Sequence, residues 1–214
     1  MLSDYATIKN GSYGKLMKAY YAKQDAEKLS GKGDTSQKLT LMKTSADSLK
    51  KSADALNDSS LWEKKKIKKK DEKTGEEIEV EDYDWDKITK AVKSFVEDYN
   101  DVVKEAGESN TKDVLRNASW MTGMTDKNSN MLAKIGITIG KGNKLELDED
   151  ALKQADISSL KTVFTGYNSF VSKISQKATG ISNAANRASA TYTNNGTYSK
   201  TDSSLTSSKI DKEV

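Results

Sequence analysis

Four groups of residues carry types and spacings that could do chemistry. Lys64 to Lys70 reads Lys-Lys-Lys-Ile-Lys-Lys-Lys, with Trp62 and Tyr83 close to it. Such a block can contact phosphates while neighbouring rings stack on bases. An acidic run, Glu76 to Glu81, follows after a short polar segment. If the two runs pair as strands, much of the positive field is cancelled across the ladder, so no nucleic-acid partner is expected. Asp126-Lys127-Asn128-Ser129-Asn130 imitates the start of a calcium loop. Met131 stands where such a loop needs glycine, and Ile137 where it needs a bidentate glutamate, so no calcium is expected. Asp148-Glu149-Asp150 could supply paired carboxylates for acid–base work, yet at a helix start these residues cap the helix and complement its dipole. Gly140-Lys141-Gly142 lacks the spacing and the following Ser or Thr of a phosphate-binding loop and reads as a turn.

What is missing restricts the chemistry further. The 214 residues include no Cys, no His and no Pro. There is thus no thiolate or imidazole nucleophile, no imidazole base, and no zinc or copper site built from the usual ligands. The sequence therefore predicts a protein that is not an enzyme, with no cofactor, no metal and no small-molecule substrate. The net charge of +3 is close to balance for a chain of this length. No apolar run approaches the roughly 20 residues of a membrane span, so no membrane insertion is expected. Met1 to Ala6 lacks the basic and apolar regions of a signal peptide, so any export would use a route without a cleavable one.

The elements follow from composition and periodicity. Only 35% of the residues are hydrophobic and 31% are charged, which suits long helices packed along narrow seams and not a wide core. The fold class expected is mainly α: an elongated, coiled-coil-like helical bundle with two small β-hairpins. An average protein carries Pro at roughly 5% of positions, and its absence favours uninterrupted helices. A first helix with a weak start is expected over Asp4 to Lys28. A second, capped by Thr35 or Ser36, carries Leu39, Met42, Ala46, Leu49, Ala53 and Leu56 in alternating steps of three and four. A third, from Asp86, carries Ile88, Val92, Phe95, Tyr99, Val102 and Ala106 in the same rhythm. A less regular helical region runs from Thr111 to about Lys134, with a break expected near Gly123. The last helix is expected from about Ile157 to Tyr192, through Leu160, Phe164, Tyr167, Val171, Ile174, Ala178, Ile181, Ala185 and Ala188.

Two hairpins interrupt the helices. In the 61–85 arm, a four-residue loop at Glu72 to Gly75 sets Trp62 opposite Trp85 and Ile67 opposite Val80. It also sets Lys66, Lys68 and Lys70 opposite Glu81, Glu79 and Glu77. The second hairpin spans 135–148, with glycines at its turn, and Asp148 caps the short helix after it. Residues 1–193 read as one elongated helical domain. Residues 194–214, rich in Ser, Thr and Asn, read as a flexible polar tail.

Several of these pieces, in order, resemble a known family. Phe95-Val96-Glu97-Asp98-Tyr99-Asn100-Asp101-Val102-Val103, Leu132-Ala133-Lys134-Ile135-Gly136-Ile137-Thr138, Lys144 to Leu152, and Val163-Phe164-Thr165-Gly166 resemble the C-terminal core of bacterial flagellar filament-capping proteins, the flagellar hook-associated protein 2 family. The resemblance covers about Ile88 to Gly166. It implies a reduced form lacking the family's head domains, with the Trp62 to Trp85 hairpin in their place. It further implies a non-catalytic, extracellular, flagellum-associated structural protein that assembles with itself or with flagellar axial proteins. The alternative reading is a cytoplasmic helical protein–protein interaction module unrelated to motility.

Overall fold

The computed structural model describes residues 33–70 and 77–191. The expected Asp4 to Lys28 helix, the hairpin loop at 72–75 and the polar tail lie outside the described residues. Within them the chain forms seven helices and two separate two-stranded antiparallel sheets. The long helices are α1 (Ser36–Asn57), α2 (Trp85–Gly107), α3 (Lys112–Lys127) and α7 (Phe170–Thr191). Helix α1 packs on α7 and α2, and α3 packs on α7, so the four form a bundle. At 1.5 Å per residue the three longest extend roughly 33 Å.

The seams predicted from spacing are the faces that bury. On α1 the buried set is Leu39, Met42, Ala46, Leu49, Ala53 and Leu56, and Thr35 caps the helix by accepting the Lys38 amide. Helix α2, capped by Asp84, buries Ile88, Val92, Phe95, Tyr99, Val102 and Ala106. From α7 the core receives Phe170, Val171, Ile174, Ala178, Ile181, Ala184 and Ala185. Alanines at Ala46 and Ala53 on one helix, and at Ala178 and Ala185 on the other, let the α1 and α7 backbones approach closely.

A polar ladder runs beside the α1–α7 seam. Asp47 accepts from Ser182 Oγ at 2.7 Å, and Asp54 accepts from Ser175 Oγ at 2.7 Å. The aspartates are seven residues apart going up one helix, and the serines are seven apart going down the other. Lys43 and Lys50, each four residues before its aspartate, hold the second carboxylate oxygens. Burial raises the pKa of both aspartates, but the lysine and serine hydrogen bonds outweigh it and hold both below the ordinary value.

Two helix boundaries differ from the spacing. Helix α3 runs through Gly123 without a break and ends at Asn128. An isolated helical glycine costs only about 1 kcal/mol against alanine, and buried Met121, Thr122 and Thr125 on either side of it offset that cost. Asn128 stops the helix, its amide shared between the Met124 and Thr125 carbonyls and its side chain donating to Met124 O at 2.7 Å. After it come α4 (Ser129–Ala133), α5 (Glu149–Gln154) and α6 (Ile157–Phe164).

The expected helix from Ile157 to Tyr192 is two helices, α6 and α7, separated at 165–169. Gly166 sits at φ 97°, and its amide donates to Asn57 Oδ1 at 2.8 Å, so the end of α1 stabilises the break. Ser169 Oγ then accepts the Ser172 amide and restarts the helix. Tyr167, expected in the seam, lies in this break and is 83% exposed.

The hairpins keep the expected register with shorter strands. Strands β1 (Lys65–Lys70) and β2 (Glu77–Asp82) pair Lys66 with Glu81, Ile67 with Val80 and Lys68 with Glu79. Trp62 and Trp85 lie outside this ladder and do not face each other as strand partners. Trp62 belongs to the single turn Ser59–Trp62, and Trp85 opens α2. In the second sheet, β3 (Ile137–Ile139) pairs with β4 (Leu145–Leu147), and Asp148 caps α5 by accepting the Asp150 and Ala151 amides.

Asp34, just before α1, ties the chain to the α2–α3 corner. Its carboxylate accepts from Ser109 Oγ (2.6 Å), the Asn110 amide (2.9 Å), the Thr111 amide (2.9 Å) and Thr111 Oγ1 (2.7 Å), with Lys38 at 3.5 Å. Burial alone would raise its pKa, but the bonds from Ser109, Asn110 and Thr111, with Lys38, hold it below the ordinary 3.8. A depressed carboxylate contributes stability that is complete above the unfolded value and is lost as pH falls through the folded one. Thermal stability is therefore expected to weaken as pH drops below 3.8. Asp34→Asn, which turns donors toward donors, is expected to cost about 1–3 kcal/mol near neutral pH and to flatten that acid limb. An acid limb as steep in the variant as in the parent would show that Asp34 does not carry the dependence.

A pair of glycines at the second hairpin gives an internal control. Gly136 and Gly142 have φ of 78° and 72°. A Cβ at Gly136 would meet Asp148 O at 2.6 Å and Leu152 N at 2.9 Å, whereas one at Gly142 meets nothing within 4 Å. Gly142→Ala is expected to cost only the left-handed backbone term of about 1–2 kcal/mol. Gly136→Ala should cost clearly more, read as the difference in urea midpoint between the two variants.

Candidate assembly surfaces

The seam residues are used inside the chain. Leu39, Met42, Leu49, Leu56, Ile88, Val92, Phe95, Tyr99, Val102, Leu160, Phe164, Val171, Ile174 and Ile181 all lie in one contiguous core, so each predicted seam finds its partner within the same molecule. Among the described residues, what remains outside the core is the first hairpin, the outer helix faces and the connecting turns.

The first hairpin is fixed at its base by aromatic packing. Trp62 is 1% exposed, stacks on Phe164 with ring centroids 5.4 Å apart, and donates Nε1–H to Leu56 O at 2.8 Å. Phe164 in turn meets Phe95 edge-on at 6.5 Å, and Phe95 contacts Tyr99 and Phe170 at 6.3 Å each. On the return side, Tyr83 sits edge-on to Trp85 at 6.4 Å, with the Lys64 and Lys161 ammonium groups 5.7 and 6.0 Å from its ring. The two tryptophans flank the hairpin, whose paired strands begin at Lys65 and end at Asp82. Their partners, in α6 and in Tyr83, could not be read from the spacing of the two.

Beyond this base the hairpin is open. Lys65, Lys66, Lys68, Glu77, Glu79 and Glu81 are exposed, Ile67 and Val80 are half-buried on one face, and Ile78 beside them is 42% exposed. Of the helix surfaces, α3 presents Trp120, 60% exposed with the Lys177 ammonium 5.2 Å from its ring, and α1 presents Leu41. These lie on different elements, and scattered single hydrophobics are ordinary on a protein surface.

The second hairpin is docked by a side chain that acts as a strand. Asn100 Nδ2 donates to Leu145 O at 2.9 Å, and its Oδ1 accepts the Leu145 amide at 2.7 Å. One amide side chain thus satisfies both outward backbone groups of a β4 residue from the middle of α2. Beside it, the Tyr99 hydroxyl donates to Thr125 Oγ1 at 2.9 Å in full burial, which raises the tyrosine pKa. Tyr99 and Asn100, adjacent in the run Phe95 to Val103, therefore make two inward connections, one to α3 and one to β4.

Among the described residues there is no group of three or more Asp or Glu placed to hold a metal, and no helix long and apolar enough to cross a membrane. Asn100→Ala leaves the Leu145 amide and carbonyl without these partners and is expected to cost about 2–3 kcal/mol. Amide exchange should accelerate first at β3 and β4, ahead of α1 and α7, and a uniform acceleration would contradict a local docking role.

No curated protein and no solved structure matches the chain significantly. A family match does exist, and it begins later and ends later than the motif resemblance does. It leaves out Phe95 to Val103 and α2 while taking in α3, the second hairpin, α6, α7 and residues beyond. The family comprises non-catalytic, extracellular, flagellum-associated structural proteins. Residues 109–213, just under half of the chain, match the family model of the flagellar hook-associated protein 2 C-terminus.

Proposed function

We propose that this protein is a non-catalytic structural component of the flagellum, working outside the cell and assembling with itself or with flagellar axial proteins. The observation that carries the reading is the family match over residues 109–213, which spans α3 through α7 and so most of the bundle's C-terminal half. Two features of the chain support it. The sequence has no Cys or His to serve as nucleophile, imidazole base or soft metal ligand. The buried surface is given to helix packing, and the side chains left outside are a charged hairpin and single apolar residues. A filament-tip cap is one form this role takes in the family. In this chain the segment between α1 and α2 is a hairpin, so an accessory or reduced cap is the form proposed.

Fractionation tests the reading directly. The protein is expected in sheared filaments or in culture supernatant, and deleting its gene is expected to reduce filament length or motility. Exclusive recovery from the cytoplasm, with normal filaments in the deletion strain, would instead support a helical interaction module unrelated to motility.

A further inference from the structure

The first hairpin has two unlike edges. Among the described residues sheet β1–β2 has two strands, so each strand keeps one outer edge there. Along β1 the exposed side chains include Lys65, Lys66 and Lys68, and along β2 the exposed charged ones are Glu77, Glu79 and Glu81. Edge lysines are a common device against unwanted strand pairing. Here that device blocks only like-to-like contact. Two β1 edges would set Lys against Lys, and two β2 edges would set Glu against Glu, both unfavourable directly across a ladder.

The remaining combination is favourable in charge and in strand direction. A second copy set beside the first and rotated with the twist of the sheet brings its β1 next to β2. Those strands run antiparallel, because β1 and β2 already do within each hairpin. Each lysine strand then lies between two glutamate strands, and Ile78 and Val80 of one copy meet Ile67 of the next on the other face. The buried Trp62 and the Tyr83–Trp85 contact hold the hairpin base, so the edges are presented by a fixed stem.

We propose that the β1 edge of one molecule adds to the β2 edge of the next, so that a second copy of this chain is the partner of the hairpin and association is head-to-tail. The proposal deepens the self-association part of the function proposed above and rests on it. A head-to-tail contact closes into a ring or continues as a filament, whereas a two-fold contact stops at a dimer. A six-residue edge is about 20 Å long, below the extent of a stable stand-alone interface, so each contact is weak and gains strength when several close together.

The absence of cysteine makes the geometry testable on the full chain. A Lys68→Cys chain and a Glu79→Cys chain are mixed at high concentration with a short bis-maleimide crosslinker, which adds to one thiol at each end. Crosslinked dimers joining the two different variants are expected at about tenfold over dimers of either variant with itself, and they should fade as salt shortens the screening length. A charge-swapped chain, K66E/K68E/E79K/E81K, keeps its own cross-strand pairs and so its hairpin, and should self-associate as the parent does. Light scattering on the parent separates the two levels of the claim. Self-association with equal crosslinking of like and unlike variants overturns the hairpin contact while leaving the structural role standing. A monomer at all concentrations, with no unlike crosslinks, overturns self-association itself, and recovery from sheared filaments then decides whether the flagellar reading survives through axial partners alone.

Discussion

The α1–α7 pair is the constraint on which the rest of the bundle depends. Its two helices come from opposite ends of the described chain and pack through small residues, with Ala46 and Ala53 buried on one side and Ala178 and Ala185 on the other. Close backbone approach multiplies dispersion contacts along the length of the seam, but it leaves little room for error in axial position. The Asp47–Ser182 and Asp54–Ser175 bonds set that position at two points one heptad apart, and Asn57 bonding the Gly166 amide adds a third at the end of α1. Register on a uniform seam of alanines would be weakly specified. Charge-assisted bonds at fixed steps restrict it.

This arrangement bears on the meaning of a family match that starts at residue 109. Helix α7 lies within the matched stretch, but its α1-facing stripe is covered only by residues 36–57, which lie outside it. Asp34 and Asn100 extend the same dependence. The first ties down the turn before α3 from 75 or more residues away in sequence, and the second docks β4 from α2. The matched half is therefore not a free-standing unit joined to an unrelated half. Each half supplies polar atoms and apolar surface that the other would otherwise leave exposed or unsatisfied.

The parts of this fold that were readable in the sequence are those whose information is local and periodic. The α1 and α2 seams repeat in steps of three and four; burial follows the first residue for residue and on the second also takes in Thr89, Val96, Val103 and Glu105. The register of the first hairpin follows from facing Lys and Glu runs of matched length. Features set by contacts distant in sequence were not readable. The break at 165–169 depends on Asn57, 109 residues earlier, and without that contact the pattern from Ile157 onward continues as a helix through Tyr167. Trp62 and Trp85 looked like a cross-strand pair because both flank the strands. The stacking partner of Trp62 is Phe164, which no local pattern indicates. Asp34 carried no signal at all, being one aspartate in a Gly-rich turn.

Stiffness at the root of the hairpin gives its exposed part a mechanical meaning. A two-stranded ribbon is marginally stable alone in water. Here the root is held by a stacked tryptophan, an indole bond to Leu56 and an aromatic cluster that also joins α2, α6 and α7. The same cluster joins the matched and unmatched halves of the chain, so the hairpin projects from the point where the two halves meet. The root of the ribbon is packed on Phe164 and, through it, on Phe95 of α2. The apolar seams are closed within the molecule, so the ribbon is the longest unpaired backbone edge the described chain offers to a neighbour. The charges on its two sides decide which neighbour edge fits.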